Sequence, residues 1–276
     1  MPVPKISVVV PSYNQGHYLG LTLASVIDQN YPNLELIVMD GGSTDGSVEV
    51  IRSYERHIAY WQSQKDDGQT AALADGFRRS SGDIQCWLNS DDLHFPYTLR
   101  EVAEYFQRRP AVDAVYGNAL WIDGAGQALR EQREIGFYRF LWMYTYNYIP
   151  GMSMFWRRAV YERAGGLNPD FNLAMDADLW IRMADVGRIR HARRLWSKMR
   201  YYPEQKNVRL RERSDQEDLL IRRRYWGSDE PRFYSCKQAV AKLVRIGLKT
   251  ATGCYGAGYR RDLNQIVAPD ALGENK

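Results

Sequence analysis

The segment IQCWLNSDD, residues Ile84 to Asp92, joins an apolar run to two adjacent carboxylates. The apolar run predicts a buried strand, so Asp91 and Asp92 would lie at its carboxyl end. Ligands of open α/β sheets bind at that edge. Two neighbouring anions suit a divalent cation that also carries a phosphate group, because Mg²⁺ and Mn²⁺ favour oxygen ligands. Taken alone, the pair fits equally well with capping of the helix that follows.

The composition is typical of a soluble globular protein with one large domain, or a domain with an extension. The 276 residues include 45% hydrophobic and 25% charged side chains, and the net charge is +4. That charge is too small to indicate a nucleic-acid partner by itself. The unclustered Cys86, Cys236 and Cys254 predict neither disulfides nor a zinc site, so a reducing compartment is expected. No signal-peptide pattern or membrane-spanning apolar run is found.

Strand and helix patterns alternate along the chain. The β-branched run Ile6–Val10 and the segment Leu34–Met39 predict buried strands, with apolar side chains at helical spacing between them. Further strands are predicted at Ile58–Trp61 and Val112–Gly117, and a hairpin follows at Leu120–Gly126. This order predicts an α/β fold, with a mixed, mainly parallel central sheet and helices on both faces.

Asp40 ends the second predicted strand and precedes the glycine-rich loop Gly41–Ser47. The glycine spacing fits neither a dinucleotide fingerprint nor a phosphate-binding loop. Asp40 could accept hydrogen bonds from a base or a ribose, but the residues alone favour a turn-forming aspartate. Asp176 and Asp178 raise a similar choice, because both fall in the first turn of a predicted helix, where the helix dipole favours anions. Either could cap the helix, or Asp176 could act as a catalytic base.

The C-terminal part of the chain is basic. Lys242, Arg245 and Lys249 fall on one face of a predicted amphipathic helix, opposite Val240 and Leu243. Such a helix either lies on an anionic membrane surface or presents an ordinary solvated face. We therefore expect a domain over residues 1–205 and a basic helical extension over residues 206–276, whose last residues, 268–276, are frayed.

Five segments, in this order, resemble the family 2 glycosyltransferases, which have the GT-A fold of nucleotide-diphospho-sugar transferases. The matching segments are Val8–Asn14, Asp40–Ser47, Asp66 with Gly68-Gln69, Trp87–Asp92 and Met175–Trp180. The resemblance extends from about Lys5 to about Tyr202.

For the nucleotide-sugar donor, the resemblance implies contacts from the first four segments. It assigns Asp40 to the donor base and Asp91 to the ribose or to a metal-bound water. The other residues implied to lie along the donor are Pro11, Tyr13, Asn14, Asp66, Gly68 and Asn89.

For catalysis, the resemblance implies that Asp92 binds Mn²⁺ or Mg²⁺ and that Asp176 is the general base. Two positions depart from the family pattern. Met175 stands where many relatives have an acid, and Tyr202 lies in a segment where relatives often carry His, which puts a metal or phosphate contact from that segment in doubt.

The resemblance and the single predicted base together imply an inverting hexosyltransferase. A carboxylate that deprotonates the acceptor hydroxyl contributes roughly 10²–10⁴-fold. The expected donor is a UDP- or dTDP-sugar, and the expected acceptor is a glycan or a lipid-linked sugar in cell-surface polysaccharide synthesis. A cytoplasmic location is expected, peripheral to the inner face of the plasma membrane.

Three alternatives remain at this point. A nucleotidyltransferase could use the same carboxylates, although no Gly-rich loop with Arg or Lys is seen near the N-terminus. A processive synthase would show membrane spans and a Gln-x-x-Arg-Trp segment, and neither is present. A glycan-binding module without catalysis has no reason to keep Asp40, Asp92 and Asp176 together.

Overall fold

The computed structural model describes residues 2–227 and 231–255. Within these residues, nine strands form one mixed sheet. The strands are β1 (Ile6–Ser12), β2 (Leu34–Asp40), β3 (Tyr60–Ser63), β4 (Ile84–Trp87), β5 (Leu93–His94), β6 (Ala114–Ile122), β7 (Ala128–Gln132), β8 (Met154–Arg157) and β9 (Ile189–Arg200). The helices are α1 (Gly16–Ile27), α2 (Ser47–Ser53), α3 (Gln69–Arg79), α4 (Thr98–Arg108), α5 (Arg139–Tyr144), α6 (Arg158–Arg163), α7 (Met175–Val186), α8 (Lys206–Arg209), α9 (Arg211–Trp226) and α10 (Tyr234–Ala251).

The first half of the sheet is parallel, in the spatial order β3-β2-β1-β4. Every residue of β1 is buried, as its β-branched run predicts for a strand covered on both faces. Helix α3 packs closely on this strand, because a Cβ at Gly76 would lie only 2.4 Å from Cγ1 of Val9. The predicted α/β architecture is confirmed in this half.

The second half makes the sheet mixed, as expected. Strand β8 runs antiparallel to both β4 and β6, while β6 and β9 are parallel. Strand β7 forms the predicted hairpin with β6. The predicted end of β6 at Gly117 is wrong, since the strand continues to Ile122. A Cβ at Gly117 would lie 2.7 Å from the Trp196 ring, so this glycine makes room for an indole and does not end a strand.

The central strand is shorter than predicted. Strand β4 ends at Trp87, and Leu88–Asp92 leaves the sheet as a turn. The Thr22 hydroxyl of α1 fixes this turn, lying 2.8 Å from the carbonyl oxygen of Ser90 and 2.9 Å from that of Asp92. Strand β3 is likewise displaced, to Tyr60–Ser63 from the predicted Ile58–Trp61.

The orientation predicted for the C-terminal basic helix is wrong. Arg245 and Lys249 of α10 are buried and bind the carboxylate of Glu134, whereas Val240 and Leu243 face outward. The partner Glu134 lies more than one hundred residues earlier in the chain, so the local pattern could not reveal it. Lys242 is exposed.

The boundary between residues 205 and 206 stays a prediction. The tail predicted at residues 268–276 lies outside the described residues. Over 2–227 and 231–255, each helix is too short or too polar to cross a bilayer.

Candidate active site

The carboxyl ends of four parallel strands lie along the same side of the sheet, and three of them end in a polar residue. Ser12 of β1 pairs with Asp40 of β2, and Asp40 pairs with Ser63 of β3. On the other side of β1, Val9 pairs with Trp87, the last residue of β4. The turn that carries the acid pair therefore leaves the sheet at the edge where Asp40 lies, which is the edge used by ligands of open α/β sheets.

Asp91 and Asp92 are both buried in this turn. Asp92 Oδ1 accepts a hydrogen bond from the main-chain nitrogen of Arg200 at 2.7 Å, and Oδ2 accepts one from Asn89 Nδ2 at 3.3 Å. Asp91 Oδ2 accepts a hydrogen bond from the Tyr202 hydroxyl at 2.9 Å. Burial raises the pKa of Asp91, and burial together with the charge of Asp91 raises the pKa of Asp92 well above its usual range.

The end of β9 holds this acid pair through Arg200. Its Nε donates to the carbonyl oxygen of Asp91 at 2.9 Å, and its guanidinium lies 4.3 Å from the ring centroid of Tyr18. Gln205 Nε2 reaches Asp91 Oδ2 at 3.4 Å. The segment in which Tyr202 replaces the expected His is thus in direct contact with the acid pair.

The acid pair fits a divalent cation. In the described part of the chain, no third His, Cys, Asp or Glu joins it to make a larger cluster. Two carboxylates are nevertheless the usual protein share of a Mg²⁺ site, since waters and substrate phosphates supply the other ligands. A bound cation would also relieve the repulsion between Asp91 and Asp92 that raises the pKa of Asp92.

Asp40 is held as a turn-forming residue. Its Oδ2 accepts hydrogen bonds from the main-chain nitrogens of Gly42 and Ser43, at 3.1 and 2.9 Å, and from the Ser63 hydroxyl at 2.6 Å. Its Oδ1 accepts one from the Ser43 hydroxyl at 2.6 Å. The side chain is only 1% exposed, so a base contact from Asp40 requires one of these partners to be exchanged. That contact stays a prediction.

Tyr13 and Asn14 lie beyond the end of β1 and are exposed, whereas Pro11 is buried within the strand. The Asn14 backbone is left-handed, with φ of 50°. Its nitrogen donates to the Ser43 hydroxyl at 2.8 Å, and its Oδ1 accepts from the Thr44 nitrogen at 2.9 Å. These bonds join the first two loops, and the Tyr13 ring, 63% exposed, offers a stacking surface beside them.

The start of α3 connects the acid pair to the next motif. Gln69 Nε2 donates to Asn89 Oδ1 at 2.8 Å, and Asn89 in turn donates to Asp92. Just before the helix, Asp66 Oδ1 accepts from the Gly68 nitrogen at 2.8 Å, and Gly68 has φ of 101°. The predicted residues Asp66, Gly68 and Asn89 therefore form one continuous border of the site.

Asp176 lies in the first turn of α7, on a wall that is linked to the acid pair. The Thr70 hydroxyl of α3 is 3.0 Å from Sδ of Met175, the neighbour of Asp176. A Cβ at Gly151 would lie 3.8 Å from Asp176 Oδ2, and the next residue, Met152, accepts a hydrogen bond from the Asn89 nitrogen at 3.2 Å. The segment Gly151-Met152 thus lies between Asp176 and the turn that carries the acid pair.

The carboxylate of Asp176 is oriented by two hydrogen bonds. Oδ1 accepts from the Ala177 nitrogen at 2.7 Å, and Oδ2 accepts from Asn147 Nδ2 at 2.9 Å. Burial raises the pKa of Asp176 to about 6. A partly exposed carboxyl group with a pKa of about 6 is suited to proton transfer.

Asp178 has a different environment. It is buried and accepts a hydrogen bond from Arg182 Nε at 2.9 Å within α7. Asp178 therefore supports α7 through Arg182, and not by capping the first turn of the helix.

Some contacting residues were not predicted from the sequence. Arg200, Gln205, Asn147 and Glu217 bind the acid pair, Asp176 or the loop before it. Asn147 carries no local signal, because its partner is 29 residues away. The position of Arg200 beside Tyr202, at the end of a basic strand, is the one signal that could have drawn attention to it.

Comparison with known proteins identifies the class to which this fold and site belong. The sequence profile of Glycosyl transferase family 2 matches residues 7–163, which is more than half of the chain. The chain therefore belongs to glycosyl transferase family 2, as its motifs predicted.

Individual relatives are more distant. An uncharacterized glycosyltransferase of Rickettsia felis is 25% identical over 226 residues, covering 79% of this chain and 37% of the relative. A Bacillus subtilis glycosyltransferase, provisionally named for teichuronic acid biosynthesis, is 31% identical over 122 residues, covering 42% of this chain and 48% of the relative. The chain thus spans less than half the length of both relatives.

Solved structures share the fold at low sequence identity. TarS of S. aureus, residues 1–349 in complex with UDP-GlcNAc, has a TM-score of 0.67 at 17% identity, covering 97% of this chain and 82% of that chain. A mannosyltransferase of Pyrobaculum calidifontis, in complex with GDP-Man and Mn²⁺, has a TM-score of 0.63 at 18% identity, covering 99% and 86%. These similarities confirm the GT-A fold.

Proposed function

We propose that this enzyme transfers a sugar from a nucleotide diphosphate, a UDP- or dTDP-sugar, to a hydroxyl group of a glycan or lipid-linked acceptor, with inversion. The observation that carries the proposal is the link between the donor-side acids and Asp176. Asn89 contacts both Asp92 and Met152, and Gly151, next to Met152, borders Asp176. This chain of contacts supports a site in which a donor held at the strand ends would lie close to the Asp176 carboxylate.

Asp176 would accept the proton of the acceptor hydroxyl. With a pKa of about 6, it is mostly ionised at neutral pH yet remains basic enough to take a proton. Asn147 and the Ala177 nitrogen keep its two oxygens in fixed directions. Asp178 is bound to Arg182 and is not free to act as a nucleophile, which supports a single displacement with inversion.

Asp92 would hold Mn²⁺ or Mg²⁺, which supplies Lewis-acid stabilisation to a departing diphosphate, and the neighbouring Asp91 would contact the ribose or a metal-bound water. Tyr13 offers its exposed ring to the nucleobase. The P. calidifontis fold relative, solved with GDP-Man and Mn²⁺, supports a metal and a nucleotide-sugar in this type of site. The name of the B. subtilis relative supports a role in cell-surface polysaccharide synthesis.

Calorimetry with a panel of nucleotide-sugars, with and without Mn²⁺, tests the proposal. We expect one donor to bind in a Mn²⁺-dependent manner, and Asp92→Asn to abolish that dependence while leaving the circular dichroism spectrum unchanged. Transfer to acceptor hydroxyls, followed by NMR of the product anomer, then tests inversion. The proposal is wrong if no nucleotide-sugar binds with Mn²⁺ or Mg²⁺, or if the donor configuration is retained.

A further inference from the structure

Four aliphatic side chains of helix α10 are exposed to solvent. Val240 is 50% exposed, Leu243 68%, Val244 44% and Ile246 45%. With Gly247, these residues fall on one broad face of the helix, since they are spaced by three or four positions. We call these four aliphatic side chains the outer face of α10. Contiguous exposed apolar surface of this kind marks an interaction site.

The inner face of α10 explains why the aliphatic residues point outward. Glu134 Oε2 accepts a hydrogen bond from Arg245 Nη2 at 2.9 Å, and Oε1 accepts one from Lys249 Nζ at 3.1 Å. The Arg245 guanidinium also lies 4.5 Å from the ring centroid of Tyr146 and 5.2 Å from that of Tyr148. Rotating the helix to bury its aliphatic side chains would separate two buried cations from their carboxylate. The ion pairs with Glu134 therefore keep the outer face exposed to solvent.

The residues around the outer face are basic and aromatic. Residues 231–255 contain no acid. Arg245 and Lys249 are buried on the inner face, and the exposed cations are Arg232 and Lys242. Lys242 is exposed and borders the outer face. Aromatic rings lie at both ends of the helix, Phe233 being 68% and Tyr255 61% exposed. Aliphatic side chains flanked by exposed cations and aromatic rings are typical of helices that lie in the interface of a membrane.

We infer that the outer face of α10 docks on an anionic lipid bilayer. Val240, Leu243, Val244 and Ile246 enter the boundary between headgroups and acyl chains, and Lys242 binds lipid phosphates. A second copy of the chain fits this face less well. In a symmetric pair, Lys242 would approach the same positive surface of the other copy, and residues 231–255 offer no acid to neutralise it. The charge pattern therefore favours an anionic lipid surface.

Docking would also place the acceptor side of the site close to lipid. The inner face of α10 contacts Tyr146, whose neighbour Asn147 donates the hydrogen bond to Asp176. The outer face is thus separated from this loop by roughly one helix diameter, about 10 Å. This consequence, which rests on the proposed function, selects a lipid-linked acceptor over a free glycan.

Vesicle flotation of the full chain tests the inference. Wild type is mixed with vesicles of phosphatidylcholine alone, or of equimolar phosphatidylcholine and phosphatidylglycerol, and we expect flotation mainly with the second. Leu243→Gln should reduce the partition coefficient about tenfold or more, because burying one leucine is a tenfold effect at least. Leu129→Gln is the matched control, since Leu129 is 50% exposed on β7, and it should float as wild type. Lys242→Gln should weaken binding to the anionic vesicles roughly fivefold.

Three outcomes would overturn the inference. Wild type that stays unbound to anionic vesicles is the first, and equal flotation of the Leu243→Gln and Leu129→Gln variants is the second. The third is a dimer, seen by light scattering, that Leu243→Gln dissociates, which would assign the outer face to a second copy. Donor binding in solution is measured on the same variants. It reports on the proposed function separately, because Leu243 lies outside the site.

Discussion

The side-chain amide of Asn147 donates a hydrogen bond to Oδ2 of Asp176 across 2.9 Å. Asn147 is itself held, since its Oδ1 accepts a hydrogen bond from the Ile149 nitrogen at 3.2 Å. The rings of Tyr146 and Tyr148, on either side of it, pack against Arg245 of α10. A helix near the C-terminal end of the described residues thus supports the residue that orients the proposed base.

The pH dependence of transfer should report the ionisation of Asp176. Burial raises its pKa to about 6, and a base acts only when it is deprotonated. We therefore expect kcat to be constant above that pH and to fall about tenfold per pH unit as the pH drops below 6. Measuring kcat against pH at saturating donor locates the acidic limb of the profile, where kcat falls. A limb near pH 4 would show that the acting carboxylate is not Asp176.

The Asn147→Leu variant should impair the orientation of the Asp176 carboxylate without changing donor binding. The substitution keeps the size of the side chain but removes the donor that favours the ionised form of Asp176. We expect the acidic limb of the kcat profile to move to higher pH and kcat at neutral pH to fall roughly tenfold. Donor affinity, measured by calorimetry, should stay unchanged. Asn147→Ser, which retains a shorter donor, should be intermediate. A loss of kcat without movement of the limb would assign Asn147 a purely structural role.

Glu217 of α9 should stabilise the loop that precedes Asp176. Its Oε2 accepts hydrogen bonds from three consecutive main-chain nitrogens, those of Asn172, Leu173 and Ala174, at 3.0, 2.7 and 3.0 Å. Glu217→Leu leaves these donors without their acceptor, so we expect a loss of about 1–3 kcal/mol in the free energy of unfolding, with reduced kcat. Urea unfolding measures the loss. Glu212→Leu, at an exposed position of the same helix, should change stability by less than about 0.5 kcal/mol.

Glu134, Arg245 and Lys249 form a buried charged cluster, and removing its acid alone should destabilise the protein. Glu134→Leu leaves Arg245 and Lys249 buried without their carboxylate, and we expect a loss of about 3–5 kcal/mol in the free energy of unfolding. Replacing all three residues with apolar ones should recover much of it, because the desolvation of the charges then disappears. If the single and triple variants are equally unstable, the cluster contributes through packing and not through charge.

The sequence predicted the features of this fold that depend on local patterns. Buried β-branched runs, helical spacing and the order of polar strand ends are visible within ten or twenty residues, and they gave the parallel sheet and the edge at which the acids lie. Strand ends were less predictable. Gly117 suggested a break, and only the position of Trp196 shows that it is a packing site.

The supports of the site could not be predicted, because they join distant segments. Asn147 and Glu217 reach their partners across 29 and more than 40 residues, and neither has a recognisable neighbour in the sequence. The same reason explains the reversed orientation of α10. A helix with a basic and an apolar face normally turns the apolar face inward. Here the buried carboxylate of Glu134 binds the cations and reverses that preference.

Asp176→Asn and Asp178→Asn form the matched pair that tests the proposed base. Asn at position 176 retains the shape of the side chain but cannot accept a proton, so we expect transfer to fall by roughly 10²-fold or more. Donor affinity should stay within a few-fold of wild type, because the base acts on the acceptor in the transition state. Asp178→Asn weakens the ion pair with Arg182 instead, and should lower the melting temperature more than kcat. Calorimetry, thermal unfolding and initial rates on both variants separate these effects. If Asp178→Asn is the inactive variant, or if Asp176→Asn loses donor binding and not turnover, Asp176 is not the base.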